Sequence, residues 1–204
     1  MIAIVDYEIG NLAAIANMFN RLGASCEITA DPEKIKRAEK IVLPGNGAFD
    51  ACMQGLRATG LIPLLNEKVL NEQTPLLGIC VGAQMLGHGS EEGNEAGLGW
   101  IDIQVKRFPA LPGLRVPHMG WCQVKKSASH HLLFENLNED ARFYFVHSYY
   151  LAPAHAEDVL LTATYGIEFS AAVGRNNIVG VQFHPEKSHR FGKQLLAQFA
   201  GRPS

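Results

Sequence analysis

The chain has 204 residues, enough for one ordinary domain with a substantial core, and a formal net charge of −2, which leaves no electrostatic footprint for nucleic acid. Hydrophobic residues make up 47% and charged residues 19%, a globular balance that argues against disorder. No apolar run approaches the roughly 20 residues needed to span a bilayer, and "MIAIVDYEIGN" lacks the basic and long apolar regions of a secretory leader. Cys26, Cys52, Cys80 and Cys122 are widely and irregularly spaced, without a C-x-x-C. That pattern suggests neither a disulfide framework nor a zinc knuckle, and a reducing cytoplasm is the expected location.

In chain order, "IAIV" reads as a buried strand. Leu12, Ile15, Phe19 and Leu22 then recur at helical spacing, with Asn11 as the expected N-cap and Gly23 as the stop. "CEIT" is a second strand, and "DPEKIKRA" a helix with an aspartate cap and proline at its first position. The basic residues of "EKIKRAEK" alternate with glutamates, as on a solvated helix face. "KIVLPGNGAFD" runs from a strand into a glycine turn, "GLIPLLNEKVLNE" is helical after its proline, and "PLLGIC" is another buried strand. Alternation of this kind implies parallel pairing with right-handed crossovers, hence an open α/β sheet with ligands at the carboxyl ends of its strands. The second half is richer in strands: "GWIDIQVKRF", "RFYFVHSYYL", "VLLTATY" and "FSAAVGRNNIVGVQFHPE", the last turning at Asn176-Asn177, before a closing helix. With no linker and no repeat, residues 1–204 read as a single domain.

The chemistry centres on "GICVGAQ". A strand that delivers Cys80 into a sharp turn, with a helix following, is a nucleophile elbow, in which Gly78 and Gly82 permit close backbone approach. The helix N-terminus favours thiolate, and the Val81 N–H is a natural oxyanion donor. The competing reading is a cysteine packed as a small hydrophobe. Among eight histidines, His184 stands out because "VGVQFHPE" ends a buried strand in His-Pro-Glu. Proline forces extended geometry on His184, so Glu186, two residues on, faces the same side and can orient the ring. By itself that tripeptide could equally be a turn. Beside Cys80 it completes a set of nucleophile, base and orienting carboxylate. Gly45 and Asn46 of "LPGNGAF" should lie on the same rim and could supply a second oxyanion donor, although a plain strand-to-helix turn has the same spelling. His147, inside an aromatic strand, is expected to be packed.

"GICVGAQ" with "HPE" resembles the triad (class I) glutamine amidotransferases. "DYEIGN", "LPGNGAFD", "SEEG", "VPHMGW", "FYFVHSYY" and "GVQFHPEKS" are similar, over essentially the whole chain, to the glutaminase subunits of imidazole glycerol phosphate synthases. The resemblance implies a flavodoxin-like α/β fold and hydrolysis of glutamine at Cys80, with His184 as base and acid and Glu186 orienting it. It further implies an oxyanion site at Gly45, Asn46 and Val81, and substrate binding by Gln84, Glu92 and the backbone near His147 and Ser148. The ammonia would pass to a (β/α)8-barrel subunit in histidine biosynthesis. That partner would be met by Pro117, His118, Met119, Gly120 and Trp121, with Tyr144 near the passage; "VPHMGW" itself reads as a shaped loop. Ordinary core packing is the alternative for Met119 and Trp121. No metal or organic cofactor is indicated. A paralogous branch, feeding ammonia to a barrel that modifies amino sugars of a surface polysaccharide, shares the same triad. An inactive binding subunit would lack a triad member, and a stand-alone cysteine hydrolase would leave "VPHMGW" without a task. Asn46, Glu8 and Cys122 depart from the residues usual at their positions.

Overall fold

The computed structural model describes residues 1–201. In chain order it contains β1 (Ile2–Val5), α1 (Leu12–Arg21), β2 (Cys26–Thr29), α2 (Pro32–Lys36), β3 (Lys40–Leu43), α3 (Phe49–Ala58), α4 (Ile62–Asn66) and β4 (Leu76–Ile79). After these come α5 (Val81–Gln84), β5 (Gly89–Ser90), β6 (Ile103–Arg107), β7 (His118–Lys126), β8 (Arg142–His147) and β9 (Tyr149–Pro153). The chain closes with β10 (Val159–Tyr165), β11 (Ile167–Arg175), β12 (Ile178–Val181) and α6 (His189–Ala200). Among the described residues no helix is long and apolar enough to cross a membrane.

The strands form one mixed sheet in the order β2-β1-β3-β4-β12-β11-β10-β7-β8, with β5, β6 and β9 branching from β11. The first five of that order are parallel. From β12 outward the pairing is antiparallel, which is the strand-rich second half expected from the sequence. β1 and β4 are buried along their whole length, as continuous apolar runs between two helical layers must be. α1 presents Ile15, Ala16 and Phe19 to the core, and α6 presents Phe191, Leu195, Leu196 and Phe199.

Local signals decide most boundaries. Asp31 accepts the Glu33 N–H and Pro32 opens α2, and Gly23 takes a left-handed φ of 68° past the end of α1. Asn11 does not cap α1 through its side chain, and "VPHMGW" is not a loop: His118 begins a nine-residue strand. The alternation is real there, because Met119 and Trp121 face solvent while His118 and Val124 face the core. The helix after Pro63 changes to a π-helical turn over Glu67–Asn71. Glu8 sits at φ 67°, in the left-handed region.

Candidate active site

Three adjacent parallel strands bring the site together. β3, β4 and β12 lie side by side, with Leu43 opposite Gly78 and Ile79 opposite Val181. Their carboxyl ends therefore emit Pro44–Gly47, Cys80 and His184 along one rim, as an open α/β sheet requires of its ligand site.

Cys80 sits between β4 and α5 at φ 55° and ψ −113°, a conformation held in place by its surroundings. Its N–H donates to the Val181 carbonyl at 2.8 Å. Glycine is required on both sides of the contact between β3 and the elbow. A Cβ on Gly82 would stand 2.0 Å from the Leu43 carbonyl oxygen, and one on Gly45 would stand 2.3 Å from the Gly82 nitrogen. β3 and the elbow therefore touch backbone to backbone. Val81 opens α5, so its N–H has no intrahelical acceptor and is available to an oxyanion.

The His184 Nδ1 lies 2.9 Å from Glu186 Oε1, and both side chains are buried. The reason differs from the sequence argument. Pro185–Lys187 is a 3-10 turn, and it is this turn, not an extended chain, that folds the carboxylate back onto the ring. The other oxygen of Glu186, Oε2, is buried without a hydrogen-bond partner among the described residues. Burial disfavours a charged His184, but hydrogen bonds and charge from Cys80 and then Glu186 outweigh it and push the ring up to about 10. Glu186 is thus joined to His184 by a hydrogen bond, and Cys80 is near enough to raise the pKa of the same ring.

A hollow of about 200 Å³ opens beside the sulfur, lined by Asn46, Gly47, Cys80, Val81, Gln84, Glu92, Pro117, Val146, His147, Ser148 and Tyr149. The Glu92 carboxylate accepts the Phe49 N–H at 2.8 Å, and the Gln84 amide donates to Gln182 Oε1 at 3.1 Å. The positive φ near Asn46 belongs to its neighbour, Gly47, at 87°. Asn46 itself accepts the Gly47 N–H through its side chain and the Cys52 thiol through its carbonyl, the latter at 3.4 Å.

Several residues at the site were invisible in the sequence. Gln182, fully buried, places its amide 3.9 Å from the Cys80 sulfur; a lone glutamine in "VGVQF" was the available signal. Ser188 donates to the His184 carbonyl at 2.6 Å and accepts the Tyr144 N–H at 3.0 Å, tying the His-Pro-Glu turn to β8. Tyr7 donates to the Pro44 carbonyl; burial and then the neighbouring Cys52 push its hydroxyl far above the ordinary tyrosine range, so it remains a donor.

Of the residues assigned to a partner surface, Met119 is 62% and Trp121 44% exposed. Trp121 stacks on His189 with ring centres 5.4 Å apart and meets Tyr144 edge-on at 6.0 Å. His118 is a correction. It is only 3% exposed, stands opposite His147 across β7 and β8, and places Nδ1 3.0 Å from His147 Nε2. His147 in turn donates Nδ1–H to the Tyr149 carbonyl at 2.8 Å, so His118 is the donor to Nε2. Its side chain faces inward because the strand's alternation puts Met119, not His118, on the outside.

Both rings stay neutral. Burial pushes His118 down to about 4, and burial above all, with the nearby His118 and His184 adding to it, pushes His147 down to about 3, against an ordinary 6.5. The unfolded chain binds protons near the ordinary value while the folded chain refuses them, so stability falls as pH drops from about 6.5 toward 4. His184, shifted upward, gains the folded state a little stability as pH falls from 7 to about 6.5 and a near-constant amount below that, so it offsets only the first part of the loss. The net loss between pH 7 and 5 should be about 3 kcal/mol, before most carboxylates titrate. Urea midpoints measured across that range test this; a flat profile above pH 5 would contradict the neutral pair.

The model for "Glutamine amidotransferase class-I" matches residues 3–201. The chain belongs to the class I glutamine amidotransferase family. It is 51% identical over 199 residues to "Imidazole glycerol phosphate synthase subunit HisH 2" of Pseudomonas aeruginosa, covering 98% of both chains. It is 49% identical to the subunit of the same name from Methanococcus maripaludis, again over 98% of each. It is 46% identical to "Imidazole glycerol phosphate synthase subunit HisH" of Bdellovibrio bacteriovorus, over 98% of this chain and 99% of that one. A solved glutamine amidotransferase shares the fold with a TM-score of 0.74 at 19% identity, over 97% of this chain and 96% of that one. Another, from Thermotoga maritima, gives 0.65 at 20% identity, over 98% of this chain and 82% of that one.

Proposed function

We propose that this amidotransferase is the glutaminase subunit of an imidazole glycerol phosphate synthase. The observation that carries the reading is the relay of Cys80, His184 and Glu186 beside a hollow with Glu92 at its rim, in a chain about half identical, end to end, to subunits of that name. The sulfur attacks the side-chain amide carbon of glutamine, and His184 returns the thiol proton to the departing nitrogen, so the C–N bond breaks and ammonia leaves. Water, deprotonated by His184, then attacks the glutamyl thioester. The C–S bond breaks, glutamate departs, and the sulfur regains its proton. Developing negative charge on the carbonyl oxygen is met by the Val81 N–H and by a donor from the Gly45–Asn46 segment. Glu92 suits the α-ammonium of the substrate, and Gln84 and the His147–Ser148 backbone suit its remaining polar groups.

The ammonia is passed to a (β/α)8-barrel synthase subunit docked over Met119 and Trp121. Two observations support that surface. Large apolar side chains stand exposed there, and a hollow of about 370 Å³ beside them is lined by Trp121, Arg142, His189, Arg190 and Phe191. Trp121→Ala should weaken association with the barrel by about 2 kcal/mol, measured by calorimetry of the purified subunits. Unchanged affinity would take Trp121 out of the interface. The paralogous reading, an amino-sugar-modifying partner, draws no support from the relatives named above. Expression in a histidine auxotroph that lacks its own glutaminase subunit tests the assignment: growth without histidine is expected, and failure of a well-expressed protein to rescue would contradict it.

A further inference from the structure

Glu92 is an exposed residue on the loop after β5, a poor way to hold a group that must meet a substrate ammonium. Its loop is nevertheless fixed from below. The Asp50 carboxylate, in the first turn of α3, accepts the Asn94 N–H through Oδ2 and the Glu95 N–H through Oδ1, both at 3.0 Å. Gly93 lies flat on the same carboxylate, where a Cβ would come within 2.0 Å of Oδ1. The loop therefore wraps around Asp50 with room for nothing between. One residue earlier, the Phe49 N–H, left without an intrahelical acceptor at the start of α3, takes the Glu92 carboxylate. Gln54 and Arg57, on the same face of the helix at the next two turns, bind Glu95, and Arg57 also donates to the Ala96 carbonyl. Asp50 does not line the hollow.

We propose that Asp50 is a positioning residue for substrate binding, gripping the 93–95 turn so that Glu92 is aimed at the α-ammonium of glutamine. The inference rests on the glutaminase reading above. It makes glutamine affinity depend on a residue that never touches the substrate. Because α3 begins directly after the Gly45–Asn46 segment, the ammonium end and the oxyanion end of the site share one rigid support.

The test is steady-state glutamate release by the chain with its synthase partner. Asp50→Ala should raise the KM for glutamine about tenfold with kcat within about twofold, the signature of lost uniform binding. Asp50→Asn, which keeps the shape and one accepting oxygen, should show a smaller rise, and it carries the test if the alanine variant does not fold. A merely structural role would not move the next readout. Wild type should prefer glutamine over 4-carbamoylbutanoate, which lacks the α-amino group, and Asp50→Ala should lose most of that preference. Asp50→Ala added to Glu92→Gln should cost little more than Glu92→Gln alone, since the two act through one contact. An unchanged KM, a fall in kcat alone, or undiminished preference for glutamine in the folded variants would overturn the inference while leaving the glutaminase reading standing. A wild-type complex that released no glutamate would instead overturn that reading and this inference with it.

Discussion

Cys80→Ala should abolish glutamate release, by a factor on the order of 10⁴ or more, while leaving the fold and partner docking in place. The size follows from the proposed chemistry. Covalent capture by sulfur is the first step, and neither neighbour replaces it: Gln182 is an amide, and His184, held through Nδ1 by Glu186, serves as the base of the proposed chemistry and not as its nucleophile. The fold should survive because the strain at Cys80, φ 55°, is a property of the backbone that alanine experiences much as cysteine does. Stability by urea unfolding should therefore stay within about 1 kcal/mol of the parent, since the change removes one small buried atom. Substantial residual turnover in a folded variant would remove the thiol from the mechanism.

Gly82→Ala should be severe for a different reason. The added methyl would lie 2.0 Å from the Leu43 carbonyl oxygen and 2.9 Å from the Leu43 and Pro44 carbonyl carbons, so the obstruction is backbone and cannot rotate away. β3 and α5 would have to separate, which moves Val81 and the Gly45–Asn46 segment apart. A loss of stability of about 4 kcal/mol or more is expected, with glutaminase activity falling alongside it. Gly23→Ala is the control. Gly23 takes a left-handed φ of 68°, which Gly82 does not, and nothing lies within 4 Å of the added atom. Its cost should be only about 1 kcal/mol, from backbone conformation alone. Similar losses at the two glycines would show that contact at the elbow is not what fixes Gly82.

How much of this could be read from the sequence depended on how far apart the cooperating residues lie. The elbow was legible because strand, cysteine, flanking glycines and helix are contiguous. Glu186 was matched to His184 because the two are neighbours along the chain, although a 3-10 turn makes the contact. Gln182 and Ser188 act through partners on other elements, Cys80 and Gln84 in one case and Tyr144 in the other, and no local pattern announces such pairs. His118 was misread for the same reason. Only the antiparallel register of β7 on β8 shows that it faces His147 rather than a partner. The parallel half of the sheet was legible from alternating elements, but β12 slots beside β4 from about a hundred residues away, and that pairing is what brings His184 to the sulfur.

The most direct test of the central claim is mass spectrometry of the chain after exposure to a glutamine analogue carrying an electrophile at the side-chain carbonyl position. The four thiols are unequal targets: burial pushes Cys26, Cys52 and Cys122 above the ordinary thiol value, whereas Cys80 is the one cysteine that lines the hollow and lies beside His184. One adduct, on Cys80, suppressed by excess glutamine and lost in His184→Ala, is the predicted result. Labelling spread over the other cysteines, or an adduct on Cys80 that glutamine does not suppress, would contradict it.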